Sequence, residues 1–102
     1  MTAPHHPATA AELYIDRGEA AGEAEAVIVV RCVVGPVRLG ARFRQAVCVD
    51  AEIDLELTRI LFYRHVIDSL DPVCTAMVTL RGTGAIHLRG RNTIQGTNPT
   101  PA

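Results

Sequence analysis

The chain of 102 residues contains no tryptophan and no lysine, and it has only two phenylalanines and two tyrosines. Without large aromatic side chains, its core must be built mainly from Val, Ile and Leu. The lack of lysine excludes the Gly-x-x-x-x-Gly-Lys-Ser/Thr loop that holds nucleotide phosphates. Every basic residue other than histidine is therefore an arginine, which can contact phosphate or carboxylate groups in a bidentate manner. Compositional bias in the source genome would produce the same usage.

Long hydrophobic runs are also absent. No apolar stretch approaches the ~20 residues that a transmembrane helix needs. The first residues lack the basic and apolar regions of a secretory signal, so we expect a cytoplasmic protein that does not associate with membranes. The hydrophobic content of 48% argues against disorder, and the length suits one domain.

Cysteine is scarce and irregularly spaced. Cys32, Cys48 and Cys74 cannot all pair, and none stands in a Cys-x-x-Cys spacing. We therefore expect free thiols that pack as small apolar side chains, without a disulfide framework. A metal site would have to combine them with His65 or His87, and no ligand spacing such as His-Glu-x-x-His is present. We expect neither a metal nor a cofactor.

Signals for catalysis are equally weak. Ser69 is the only serine, and it lacks the Gly-x-Ser-x-Gly context of a hydrolase nucleophile. Its neighbours Asp68 and Asp71 are typical of a turn. A cysteine–histidine nucleophile has no supporting local context. We expect no catalytic residues, and hence no enzyme.

The net charge of −1 hides a division along the chain. Residues 1–26 carry five acids against Arg17, whereas residues 27–102 carry nine arginines against six acids. The candidates for nucleic-acid binding come from this positive part, with one aromatic ring for base stacking: Tyr63, Arg64, Arg81, Arg89 and Arg91. A pI near 6.4 is low for a dedicated nucleic-acid-binding domain.

Residues 27–34 are almost continuously β-branched and end at a Gly-Pro pair, which predicts a strand. Both faces of this strand are apolar. The face that carries Val27, Val29 and Val33 is therefore either covered by the N-terminal segment or exposed for a partner. These three valines are the candidate partner-binding residues, and self-association through the same face is a variant of that hypothesis.

The rest of the chain is typical of short strands. From Ile53 apolar residues alternate, and the phase changes at Arg59, which predicts a β-bulge. Residues 60–82 resemble a hairpin around Asp71-Pro72, although residues 63–70 would also fit a short helix. Further strands are predicted at residues 13–16, 41–49, 76–81, 86–88 and 93–94, and an acidic loop at 17–23. We expect a flexible leader (1–11), a domain (12–96) and a flexible tail (97–102).

Six or seven short strands with glycine-centred turns and no long helix predict an all-β protein, a small closed six- to seven-stranded β-barrel. Three segments resemble β-barrel domain 2 of the translational GTPases, as in elongation factor Tu. They are the turn Gly-Pro-Val-Arg-Leu-Gly-Ala-Arg-Phe (35–43), the hairpin that ends in Leu-Arg-Gly (60–82), and the last segment (86–94). The resemblance runs from residue 13 to 96 and implies a stand-alone barrel without a GTPase domain.

In that family the barrel helps to hold the aminoacylated end of tRNA. Arg64 falls at the matching arginine, whereas Leu61 replaces an expected acid and Thr75 an expected Asn. The family's Pro-Gly turn is Pro72-Val73 here. We therefore expect a non-enzymatic binding module that docks on a protein partner or self-associates. The alternative is an RNA- or ribosome-binding module that uses an arginine-rich face.

Overall fold

The strands follow the alternation of apolar residues along the chain. The computed structural model describes residues 10–47, 50–88 and 90–99. The strands in these residues are Ala10–Ala21 (β1), Glu25–Val34 (β2), Val37–Arg38 (β3), Arg42–Ala46 (β4), Asp54–Phe62 (β5), His65–Ile67 (β6), Ser69–Leu70 (β7), Thr75–Thr83 (β8) and Asn92–Thr97 (β9). A 3-10 turn, Ala85–His87, connects β8 to β9.

Six of these strands close into a barrel. Their order is β4-β9-β1-β2-β8-β5, and β5 returns to β4 through the pairs Arg42–Glu56 and Phe43–Leu55. Every pairing is antiparallel. Strand β6 adds to β5 as an extra strand, and β3 pairs separately with β7. The predicted fold class, a small closed β-barrel, is confirmed.

The interior is aliphatic, as the composition predicts. Inward-facing residues alternate with outward-facing ones on each long strand. The largest fully buried side chains are Phe43, Leu13, Ile15, Ile28, Leu55, Leu57, Ile60, Leu70, Leu80, Leu88, Ile94 and Val30. Burying each of them contributes about 1.5–3 kcal/mol relative to leaving it in water.

Two glycines allow strands to approach closely where the barrel closes. A Cβ atom on Gly96 would overlap the carbonyl oxygen of Arg42, and a Cβ atom on Gly82 would overlap that of Asp54. Gly82 also has a φ of +142°, which L side chains rarely adopt. The glycine of the Leu-Arg-Gly sequence is thus required by the packing of β8 on β5.

The change of alternation in β5 is a β-bulge, as predicted. The register between β5 and β8 shifts between Leu57 and Arg59. Because of this shift, Leu57 and Ile60 both point into the barrel although they are three residues apart. The Thr58 hydroxyl lies between them on the outside and donates a hydrogen bond to the Thr79 carbonyl at 3.3 Å.

Some local predictions are wrong. Residues 17–21 are not an acidic loop: they continue β1 and pair with β2 as far as Ala21 opposite Ala26. Residues 85–87 form a 3-10 turn where a strand was predicted at 86–88. Between the two long strands of the predicted hairpin the chain also makes β6 and β7, so the helical alternative for 63–70 is excluded.

The described part of the N-terminal segment, from Ala10 onward, does not cover the outer face of β2. Strand β1 lies beside β2 in the same sheet, with Tyr14 opposite Arg31 and Ile15 opposite Val30. It therefore extends the wall of the barrel instead of packing over the outer surface of β2. Residues 1–9 and 100–102, most of the expected leader and tail, lie outside the described residues.

The two turns that flank β6 and β7 use residues with positive φ. Tyr63 and Arg64, with φ of 47° and 69°, form the two-residue turn between β5 and β6. Positive φ at both positions is the requirement of a type I′ hairpin turn. Val73 has a φ of 74° in the Asp71–Cys74 turn, where the Cys74 amide donates to the Asp71 carbonyl at 3.2 Å.

Candidate binding surface

Apolar side chains form a row across the outside of four adjacent strands. Val29 on β2 lies opposite Met77 on β8, and Met77 lies opposite Leu61 on β5. Leu61 in turn lies opposite Val66 on β6. Directly paired residues have Cβ atoms about 4.5–5.5 Å apart, so the four side chains are contiguous. We call Val29, Met77, Leu61 and Val66 the outer row.

The outer row is open to solvent on its outer side. Val66 is 63% exposed, and the other three side chains are half-buried. No described strand packs over them, because all their neighbours lie within the same sheet. Val27 extends the apolar area, since it stands two residues before Val29 on the same face of β2. A contiguous apolar area of this kind on a small domain is typical of an interaction site.

Arginines surround the outer row. Arg31 follows Val29 on the same face of β2, and Arg59 precedes Leu61 on the outer face of β5. Arg64 stands at the hairpin tip between Leu61 and Val66. Among the described residues these three side chains have no ion-pair partner. The rim of the outer row therefore carries uncompensated positive charge.

The structure separates Val33 from the other two candidate valines. Val27 and Val29 belong to the apolar area around the outer row, whereas Val33 lies near the end of β2, beyond the last residue that pairs with β8. There it is 46% exposed. It stands next to Cys32, whose carbonyl accepts the amide of Val73, itself 78% exposed. The alternation along β2 put the three valines on one face, but Val33 lies too far along the strand to share the area of Val27 and Val29.

The described candidates for nucleic-acid binding lie in three separate places on the barrel. Tyr63, 81% exposed, and Arg64 are at the β5–β6 hairpin tip. Arg81 lies opposite Glu56 and Glu25, and it makes an ion pair with Glu25 at 3.5 Å. Arg91 precedes β9, two strands away from β2 in the barrel. Arg89 lies outside the described residues.

Sequence reasoning did not find most of the outer row. Leu61, Met77 and Val66 were not predicted to form a surface together, because their mutual positions depend on which strands pair and in what register. Arg31 and Arg59 were missed as rim residues for the same reason. A usable signal was present in the outward parity of Met77 and Leu61, since apolar residues at outward positions are unusual on a polar barrel surface.

The described residues offer little that resembles an enzyme site. They contain no group of three or more histidine, cysteine or acidic side chains placed to hold a metal. A cleft of about 260 Å³ lies between β1 and the segment after the 3-10 turn, where Gly18, Ala20, Leu88 and Gly90 line it with Glu19 as its titratable side chain. A single exposed carboxylate gives no acid–base pair or nucleophile.

The opposite wall of the barrel is polar and internally paired. Arg42 on β4 donates to the Asp54 carboxylate at 2.9 Å, and Arg44 lies 3.6 Å from the same carboxylate. These arginines, Arg42 first, hold the pKa of Asp54 below its usual range. On β9 the Gln95 amide donates to Glu12 at 3.1 Å.

Within the residues that the structure describes, no helix has the length and hydrophobicity to span a bilayer.

Comparison with known proteins supports the fold. No family model matches the chain, and no curated protein matches it. Among solved structures, it is similar to translation elongation factor SelB from Methanococcus maripaludis in its apo form, with a TM-score of 0.70 and 11% sequence identity. The match covers 88% of this chain and 19% of the other, so the chain spans about a fifth of that protein. The likeness shows a β-barrel of the kind found in translation factors.

Proposed function

We propose that this barrel is a non-enzymatic binding module, similar to the barrels of translation factors, that docks on a protein partner through the outer row. The observation that carries the proposal is the direct register of Val29, Met77, Leu61 and Val66 across four strands. An apolar centre surrounded by polar residues is the usual anatomy of a protein interface. The same proposal includes that the barrel corresponds to domain 2 of the translational GTPases.

The rim specifies the charge of the partner. Arg31, Arg59 and Arg64 carry positive charge that no described side chain neutralises. A partner with an apolar patch bordered by Asp or Glu would pack on the outer row and pair its acidic side chains with the surrounding arginines. A two-fold pairing of two copies through this face would bring arginines against arginines, which is unfavourable. The charges therefore favour a different, acidic protein over self-association.

RNA binding through an arginine-rich face has less support. Arg64, Arg81 and Arg91 lie on separate parts of the barrel, and Arg81 is paired with Glu25 at 3.5 Å. The hairpin whose tip carries Arg64 presents the apolar pair Leu61 and Val66, whereas phosphate recognition favours hydrogen-bond donors. RNA binding is therefore an alternative that the affinity measurements must distinguish from protein docking.

The test compares Met77→Asp with Thr93→Asp. Met77 is in the outer row, whereas Thr93 is a half-buried outward residue on β9. Both variants place a carboxylate at an outward position of a strand, so each controls for the effect of the charge on folding. Partners captured from native lysate by the wild type would be purified, and their affinity for each variant measured at low and high salt.

The expected result is selective loss of affinity. Met77→Asp should weaken binding at least about tenfold, equivalent to ~1.4 kcal/mol, and Thr93→Asp should bind like the wild type. Binding of the wild type should weaken as salt increases. Equal affinity of both folded variants would refute docking at the outer row. Dimers whose population rises with concentration in sedimentation would indicate self-association instead. Salt-sensitive binding to total RNA that Met77→Asp leaves unchanged would indicate an RNA-binding module.

A further inference from the structure

Two thiols face each other where β2 meets the turn before β8. The Cys32 amide donates to the Cys74 carbonyl at 2.9 Å, and the Cys32 carbonyl accepts the Val73 amide at 2.8 Å. The next pair along the ladder is Arg31 opposite Thr75. Val73 and Cys74 together face Cys32, as in a β-bulge, so the two cysteines are neighbours across antiparallel segments although about 40 residues separate them in the chain.

Both side chains are on the inner side of the sheet. Cys32 is 1% exposed and belongs to the core, and the half-buried Cys74 packs against that core. Both are free thiols. Opposed residues in an antiparallel pair have Cα atoms about 4.5–5.5 Å apart, within the roughly 4.4–6.8 Å that a disulfide spans. The backbone hydrogen bond between Cys32 and Cys74 therefore brings the two residues into the range of separations in which a disulfide is feasible.

We propose that Cys32 and Cys74 form an oxidisable dithiol site, which small-molecule disulfides such as oxidised glutathione convert to a cross-strand disulfide. The two cysteines differ in the role that their surroundings allow. Cys74 is partly exposed and can meet the oxidant, whereas burial raises the pKa of the Cys32 thiol to about 11 and makes it a poor first nucleophile.

The reaction proceeds by two exchanges. The Cys74 thiolate attacks one sulfur of oxidised glutathione, forms a mixed disulfide and releases one glutathione thiolate. Cys32 then loses its proton to solvent or to that thiolate and attacks the Cys74 sulfur, which expels the second glutathione. Both cysteines are oxidised to one S–S bond, and the glutathione disulfide is reduced to two thiols.

The site is coupled to a strained turn. Val73 precedes Cys74 and holds a φ of 74°, which is uncommon for a β-branched residue. A bridge from Cys74 to Cys32 would fasten this turn to the end of β2, beside the exposed Val33. Oxidation would therefore stabilise one end of the barrel and leave the outer row unchanged, so the site does not depend on the proposed docking function.

The test uses the Cys48→Ser protein, so that two cysteines remain. The folded protein and the same protein unfolded in urea are equilibrated with mixtures of reduced and oxidised glutathione. Free thiols are then blocked, and non-reducing peptide mapping measures the bridged fraction. Since the native backbone holds the thiols together, the folded protein should reach half-bridging at a glutathione ratio at least about tenfold less oxidising than the unfolded protein.

Two further measurements give the outcomes that decide the proposal. The bridged protein should melt at a higher temperature, on the order of 5–15 °C above the reduced form, and Cys74→Ser should abolish both the bridge and the shift. Accumulation of glutathione on Cys74 without a bridge would overturn the proposal. The proposal would also be overturned if the folded protein reached half-bridging at the same glutathione ratio as the unfolded protein. It would be overturned as well if the folded protein did not react.

Discussion

Two walls of the barrel share one interior and differ on their outer surfaces. Outside β2, β8 and β5 lies the apolar outer row with its uncompensated arginines. Outside β4 and β9 the side chains are polar and find partners on neighbouring strands, as Arg42 and Arg44 do with Asp54 at the start of β5, and Gln95 does with Glu12 on β1.

The difference shows how one barrel separates folding from recognition. Inward positions are mostly apolar in both walls, because the closed sheet must exclude water. Outward positions are free of that demand, and their composition reflects other constraints. A wall whose polar groups are already paired has little left to offer a partner. A wall with exposed apolar side chains and unpaired charge gains most when another surface covers it.

The largest expected effect tests whether the interiors of the two walls are equivalent. Ile28 on β2 and Ile94 on β9 are both completely buried. Ile28→Ala and Ile94→Ala should each lower the free energy of unfolding by about 2–5 kcal/mol, since each removes the same buried atoms. The outward control Val29→Ala should cost less than about 1 kcal/mol. Urea denaturation measures the free energy of unfolding of all three variants. If Ile94→Ala left it unchanged, the polar wall would contribute little to the core.

The next effect concerns the closure of the polar wall. Gly96→Ala would place a methyl group on the carbonyl of Arg42, so β9 or β4 must move. We expect a loss of about 1–3 kcal/mol, as for other overpacked sites. Gly22→Ala is the control, since its Cβ would meet the Glu25 carbonyl at an ordinary 3.7 Å. If the two variants unfold at the same urea concentration, close approach at Gly96 does not limit the barrel.

Much of this fold was predictable because period-two alternation reports directly on strands. The β-branched run of β2 and the phase change in β5 identified a strand and a bulge from sequence alone. Residues 17–23 were predicted as a loop, since their glycines and acids weaken strand propensity, but pairing along β2 as far as Ala21 outweighs that local preference. The Tyr63-Arg64 turn was not foreseen, because neither residue is typical of a type I′ turn.

The candidate surface was only partly predictable. The exposed face of β2 was identified through Val27 and Val29, whose outward parity follows from the strand alone. The extension to Met77 and Leu61 requires knowing that β2, β8 and β5 are neighbours. That order depends on closure of the whole barrel, which no local pattern encodes. Val33 shows the limit of parity, since being on the same face of a strand does not place residues in one patch.

A smaller effect, of opposite sign, is expected at the turn near the end of the apolar wall. Val73 has positive φ and is 78% exposed, so it carries conformational strain without compensating burial. Val73→Gly should raise the free energy of unfolding by about 0.5–1 kcal/mol, the relieved strain being partly offset by the greater freedom of glycine when unfolded. Val34→Gly, at an exposed strand position with negative φ, should lower it. Destabilisation by Val73→Gly would show that the valine side chain makes a contact that outweighs the strain.

The smallest effect should come from the ion pairs of the polar wall. The pKa of Asp54 is lowered, first by the hydrogen bond from Arg42 and then by Arg44. A depressed carboxyl pKa adds stability that is present above the unfolded-state pKa, about 3.9, and is lost as the pH falls through the folded value. Asp54→Asn should therefore flatten the acid side of the stability curve slightly and change little at neutral pH beyond the loss of an exposed ion pair.

An NMR titration of the Asp54 carboxyl group resolves this pairing more directly than stability does. Its midpoint should lie below that of an ordinary aspartate and should rise more in Arg42→Ala than in Arg44→Ala, since Arg42 donates at 2.9 Å and Arg44 lies at 3.6 Å. Added salt should reduce the difference, because the pair is exposed. A normal midpoint in the wild type would mean that the arginines of this wall are as free as those around the outer row. Charge pairing would then no longer distinguish the two surfaces, and the apolar row alone would have to account for partner selection.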